Sequence, residues 1–192
     1  MTLEERARRV KLILMDVDGT LTDGTILILP DGEEIKSFNV RDGMGILLAQ
    51  QAGLKTGVIS GKTSKALALR AKRLRLAEVY EGVQDKKQAL EAIISRQGLA
   101  YEEVAYIGDD LGDLEVMKQV GLAAAVADAH PLVKAHCHFL CQAAGGRGAV
   151  REFIEFILSA QGKMSDLETK VKTLLDPPSK ANSDQKEVKD GS

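Results

Sequence analysis

The chain has 192 residues, 44% of them apolar, with 26 Lys plus Arg against 28 Asp plus Glu for a net charge of −2. That length fits one compact domain whose core needs no disulfide or metal framework to fold. The charge balance excludes a nucleic-acid coat or a polybasic membrane anchor, no apolar run approaches the roughly 18 residues of a membrane span, and two cysteines make no disulfide scaffold.

Met1 to Lys11 is charged and helix-like without the apolar stretch of a secretory signal, so a cytoplasmic protein is expected. Leu12–Met15 reads as a buried strand. Next come two β-prone runs, Thr25–Leu29 and Glu34–Phe38, flanking the turn Pro30-Asp31-Gly32, and they predict a hairpin over about residues 25–38. Helices are expected over Met44–Gln51, Ser64–Leu74, Lys86–Arg96 and Asp113–Val120, with Gly53, Gly98 and Gly121 as stops. Thr56–Ile59, Val104–Ile107 and Leu122–Val126 read as further strands, apolar on both faces and therefore expected in a parallel sheet. The fold class is α/β: a doubly wound, mostly parallel, Rossmann-like sheet with a hairpin inserted after its first strand. His136-Cys137-His138-Phe139-Leu140-Cys141 holds four zinc-ligand types, but it is read as a strand. There the histidines and cysteines would face opposite ways, so no zinc site is expected. Residues 1–162 are taken as one domain and 163–192 as an extension. In that extension Met164, Leu167, Val171, Leu174 and Leu175 repeat at helical spacing before a polar tail expected to be disordered.

Ligands of open α/β sheets bind at the C-terminal ends of the strands, and acids cluster there twice. Asp16 and Asp18 close the first strand, and Asp109, Asp110 and Asp113 follow the strand ending at Ile107. A single acid at such a turn would do as a helix cap. Two clusters, each after a buried strand, point instead to a Mg²⁺ site built from oxygen ligands. Ser60 ends another strand at a small-residue turn into a helix, which suits an anion, and Lys86 opens a helix as a mobile point charge for a phosphoryl group.

The order Asp16-Val17-Asp18-Gly19-Thr20, then Ser60, Lys86 and Gly108–Asp113 resembles the four motifs of the haloacid dehalogenase superfamily of phosphotransferases. Within it the chain most resembles the capless 3-deoxy-manno-octulosonate 8-phosphate phosphatases. The likeness rests on Phe38–Gly45, Val126–Pro131 and Gly145–Glu152, and acylneuraminate 9-phosphate phosphatases share the core motifs. One departure is Ser60-Gly61-Lys62 where the family commonly has Thr-Gly-Arg; the lysine lacks the planar fork.

The resemblance implies a fold without a cap domain and a Mg²⁺-dependent sugar-phosphate phosphatase of lipopolysaccharide precursor synthesis. Asp16 is then the nucleophile and Asp18 the general acid and base. The metal is held by Asp16, the Asp18 carbonyl and Asp109, with Asp110 and Asp113 behind them. Phosphate and substrate contacts fall to Thr20, Ser60, Gly61, Lys62 and Lys86, with Arg41 and Arg147 toward the sugar acid. Gly145–Gly148 reads as a mobile arm carrying Arg147. The resemblance also implies a homotetramer, in which the apolar Ile26, Ile28 and Ile35 of the hairpins meet. A signalling receiver domain shares the paired acids but needs no Asp18, and a non-catalytic oligomerisation module needs none of the four motifs.

Overall fold

The computed structural model describes residues 1–164. The helix expected beyond Met164 and the polar tail lie outside the described residues. β1 (Leu12–Met15) is buried along its whole length, as a strand covered on both faces must be. It pairs in parallel with β4 (Lys55–Ile59) on one side and β6 (Val104–Gly108) on the other. β5 (Glu78–Tyr80) extends the sheet beyond β4, and β7 (Leu122–Ala125) and β8 (Phe139–Leu140) extend it beyond β6. All pairings are parallel, in the order β5-β4-β1-β6-β7-β8. The chain winds outward from β1 to β5 and then returns to β6, so the direction of winding switches beside β1. Crevices form at the C-terminal ends of strands at such a point.

Helix α7 (Ala149–Ala160) packs against both α1 (Leu3–Arg9) and α2 (Val40–Gln51), while α4 (Lys86–Gln97) meets α5 (Leu114–Met117). α3 (Lys65–Arg73) links β4 to β5, and α6 (Pro131–His136) links β7 to β8. Among the described residues no helix is long and apolar enough to cross a membrane.

Several boundaries differ from the sequence reading. α2 begins at Val40 rather than Met44 because Asn39 caps it, its Oδ1 accepting from the Arg41 N–H at 2.8 Å. The helix expected over Asp113–Val120 shrinks to a 3₁₀ turn, Leu111–Asp113, followed by the single turn of α5. The Asp113 carboxylate turns back to accept the N–H groups of Asp109 and Asp110, and so competes with a regular helix start. Gly53 and Gly98 do stop helices in the left-handed region. Gly121 is needed for another reason: a Cβ there would lie 2.4 Å from the Glu102 carbonyl oxygen.

The strand expected over His136–Cys141 is corrected to the last residue of α6 followed by a two-residue β8. Pro131 at the first helical turn, behind the His130 cap, starts a helix that runs through His136. His136 Nδ1 then meets the Leu132 carbonyl at 2.8 Å, and His138 Nδ1 accepts from the Ala123 N–H at 2.9 Å. β5 was not anticipated, since three residues led by a glutamate carry no strand pattern. Glu78 is nonetheless buried, held by Gln97 and Arg96, and Gly57 on β4 leaves it room. The hairpin forms with β2 (Leu27–Ile28) and β3 (Glu34–Ile35) paired antiparallel, and is shorter than expected. Its segment is all that lies between β1 and α2, so no cap domain interrupts the sheet there.

Candidate active site

β1 delivers Asp16 to the crevice. The Asp16 N–H donates to the Ile107 carbonyl at 3.0 Å, which prolongs the β1–β6 ladder and sets Asp16 beside the turn after β6. The chain then bends at Gly19, with φ at +100°, and Asp109 fills the space where a Cβ would stand. Carboxylate oxygens of Asp16, Asp109 and Asp113 lie within 4.8 Å of one another.

Lys86, the first residue of α4, reaches into this cluster. Its ammonium donates to Asp16 Oδ1, and to Asp113 Oδ1 at 2.7 Å. Asp113 is saturated: Oδ1 also accepts from the buried Tyr106 hydroxyl at 2.6 Å, while Oδ2 accepts the N–H groups of Asp109 at 3.0 Å and Asp110 at 3.2 Å. Asp113 therefore anchors Lys86 and has little capacity left for a ligand. Tyr106 was missed by the sequence reading, because one tyrosine in an apolar strand carries no signal.

Burial, followed by the neighbouring Asp113 charge, pushes the Asp16 carboxyl well above the usual carboxylate range, against the pull of Lys86. Burial likewise raises Asp109 to about 6, although the Thr20 hydrogen bond opposes it. Burial alone would lower Lys86, yet Asp16 and Asp113 together raise it, so it stays charged. A crowded, partly desolvated carboxylate cluster with one internal cation suits a divalent ion, which would relieve the remaining repulsion. Asp16 and Asp109 have the free oxygens to hold it.

The other expected residues divide. The Ser60 N–H donates to the Tyr80 carbonyl at 2.8 Å, setting Ser60 at the end of β4, and its hydroxyl accepts from the Lys62 N–H at 3.2 Å; Gly61 lies between them. Thr20 is fully buried and donates to Asp109 Oδ1 at 2.9 Å, so its hydroxyl orients that carboxylate and does not face the cleft. The exposed Asp110 caps its own turn through the Leu111 N–H and does not touch Lys86. Arg41 is exposed on the first turn of α2, and Arg147 is exposed and paired with Asp23 at 3.2 Å.

The reading of Gly145–Gly148 as a mobile arm is corrected. Gly145 donates to Asp128 Oδ1 at 2.9 Å, Gly146 donates to the Thr20 carbonyl at 2.9 Å, and the Asn39 amide donates to the Gly146 carbonyl at 3.0 Å. A Cβ on Gly145 would stand 1.7 Å from the Gly19 carbonyl oxygen. Gly145 and Gly146 allow close packing against the loop that follows β1.

A sequence family of haloacid dehalogenase-like hydrolases matches residues 56–154. Across 161 residues the chain is 43% identical to the 3-deoxy-D-manno-octulosonate 8-phosphate phosphatase KdsC of Escherichia coli, covering 84% of this chain and 86% of the relative. The chain belongs to the haloacid dehalogenase-like hydrolases, in the 3-deoxy-D-manno-octulosonate 8-phosphate phosphatase family.

Solved structures in the same family agree. The Yersinia pestis 3-deoxy-D-manno-octulosonate 8-phosphate phosphatase superposes with a TM-score of 0.84 at 44% identity, over 85% of this chain and 88% of that one. The Moraxella catarrhalis 3-deoxy-D-manno-octulosonate 8-phosphate phosphatase was crystallised with magnesium, phosphate and a KDO molecule. It gives 0.84 at 35% identity, over 90% of this chain and 97% of that one. The family's Arg41-Asp42-Gly43 string has a structural use in this chain. Asp42 is buried and accepts the N–H groups of Gly148 at 3.2 Å and Arg151 at 3.0 Å, which caps α7.

Proposed function

We propose that this chain is a Mg²⁺-dependent phosphatase that hydrolyses 3-deoxy-D-manno-octulosonate 8-phosphate to the sugar acid and phosphate, with Asp16 as nucleophile. The observation that carries the reading is the buried Asp16–Lys86–Asp113 array beside Asp109, at the C-terminal ends of β1 and β6. The 43% identity to the Escherichia coli phosphatase supports the substrate, and the magnesium and KDO bound by the Moraxella relative support both cofactor and product.

In this reading Asp16 attacks phosphorus, the bond from phosphorus to the sugar oxygen breaks, and Asp18 gives its proton to the departing alkoxide. Asp18 then takes a proton from water, which cleaves the aspartyl-phosphate and frees phosphate. Two displacements with positioned proton transfer replace one slow hydrolysis. Lys86, anchored by Asp113, balances charge on the phosphoryl oxygens, and Ser60, Gly61 and Lys62 at the end of β4 receive the others. Asp16, Asp109 and the Asp18 carbonyl would hold the magnesium, whose positive charge lets a dianion approach a carboxylate. In this reading the exposed Arg147, which would exchange its Asp23 partner, pairs with the sugar acid's carboxylate, and the exposed Arg41 adds to the substrate contacts. Residues 1–162 form the catalytic unit, working as a cytoplasmic homotetramer. Support for the tetramer is the hairpin, where Ile26, Leu27, Ile28 and Ile35 are all exposed.

The test is phosphate release from the octulosonate phosphate, an acylneuraminate 9-phosphate and simple monoesters, with wild type, Asp16→Asn and Asp18→Asn. Each variant is expected to lose at least about 100-fold, in line with the worth of a positioned acid or nucleophile. Near wild-type Mg²⁺-dependent turnover by either one would refute the assignment. Equal wild-type rates on all substrates would refute the substrate.

A further inference from the structure

The hairpin carries one side chain that is unlike its neighbours. Glu33, Glu34 and Ile35 are exposed, yet the Lys36 side chain is only 4% exposed, and its ammonium donates to Asp18 Oδ1. Lysine is almost never so buried without a partner, and here the carboxylate is that partner. The hairpin tip stands off from the start of α3 across a cavity of about 480 Å³, lined by Asp31, Glu33, Glu34, Thr63, Ser64 and Lys65. A polar tie to the catalytic loop therefore comes from the hairpin's base and not from its tip.

We propose that Lys36 is a positioning residue for Asp18, holding its carboxylate at the angle from which the proton reaches the leaving-group oxygen. This rests on Asp18 as the acid and base of the reaction above. An aspartate on a turn is weakly held about its last side-chain torsion, which has broad wells. A charge-assisted bond to one oxygen removes that freedom and leaves the other oxygen to carry the proton. Proton transfer requires the acid within hydrogen-bond reach of the departing oxygen, so a swinging carboxylate transfers poorly. Because β3 leads directly into Lys36, the seating of the hairpin is coupled to the competence of Asp18.

The prediction concerns the leaving group. A sugar alkoxide needs a proton as it departs, and p-nitrophenolate does not. Lys36→Met keeps the length and apolar stem of the buried side chain and removes the ammonium. In it, kcat/KM for the octulosonate phosphate is expected to fall about 10–100-fold, within the worth of a general acid, while that for p-nitrophenyl phosphate changes less than about 2-fold. In an Asp18→Asn background, Lys36→Met is expected to add no further loss, since residues acting as one unit are not additive. Should Lys36→Met fail to fold, Lys36→Leu, apolar and without a donor, reads the same ratio, while Lys36→Gln, whose amide can still donate to Asp18, is expected to show a smaller selective loss. Equal losses on both phosphates, or an undiminished loss in the Asp18→Asn background, would overturn the proposal. Its failure is distinct from failure of the parent reading, which would show as an Asp18→Asn enzyme as active as wild type.

Discussion

Three carboxylates within 4.8 Å of one another, with one lysine among them, make a site whose charge is balanced only when a cation is bound. Asp109 expresses this most clearly, because burial raises it to about 6. The sign follows from linkage. A carboxyl raised above its unfolded value, near 4, holds its proton in the folded state while the unfolded chain has lost it. Stability of the metal-free protein therefore falls as pH rises from about 4 through about 6, and the penalty is complete at neutral pH. Asp109→Asn keeps the acceptor for Thr20 and removes the charge. At pH 7 in chelator it is expected to unfold later than wild type by about 1–2 kcal/mol, discounted for partial exposure. Mg²⁺ is expected to raise the wild-type melting temperature by binding the folded state, and Asp109→Asn is expected to lose that rise. Thermal melts of both proteins with Mg²⁺ or chelator check this, and an Asp109→Asn protein no more stable than metal-free wild type would count against it.

Among the elements, α2 and α7 pack most extensively, and both are shaped by residues of the family strings. A Cβ on Gly45 would approach the Arg151 Cα to 3.0 Å, so the glycine lets the two helices come close. Asp42 projects from α2 to the start of α7, where Gly148 offers no side-chain cap of its own. One helix thus caps another, and the loop holding Arg147 is seated as a result. Asp42→Ala leaves these N–H groups without their acceptor and is expected to cost about 1–2 kcal/mol. At this chain length that is a fall of roughly 2–8 °C in melting temperature. Calorimetry of the Mg²⁺-loaded protein tests it. An unchanged melting temperature would mean that water or another group caps α7 equally well.

For the whole molecule, the hairpin poses the question. Two-stranded hairpins are marginal alone, and this one exposes Leu27 at 55% and Ile28 at 68%. Such neighbouring apolar side chains on one two-stranded element fit an interface between subunits, consistent with the proposed tetramer. Ile28→Asp would place a charge at the centre of that interface and is expected to dissociate it. Light scattering should give a mass near that of the 20.7 kDa chain, against about four times that for wild type. A monomeric wild type would defeat the proposed tetramer. A dissociated but still folded variant would show that each subunit holds its fold without the hairpin contacts.

What the sequence alone determined is whatever repeats with a short period or sits at a strand end. The apolar runs of β1, β4, β6 and β7, the glycine stops at Gly53 and Gly98, and Asp16, Ser60, Lys86 and Asp109 in order were all legible, because local pattern and strand polarity dictate them. Only the tertiary structure decided which hydroxyls, acids and glycines serve the packing of the site. Thr20 turned inward to Asp109, Tyr106 rose from β6 to Asp113, and Lys36 arrived on Asp18 from the hairpin. Gly121 and Gly145 are glycines because backbones 19 or more positions away in the chain pass too close for a Cβ. Each of these depends on partners distant in sequence, and a single buried contact leaves no periodic trace in the chain.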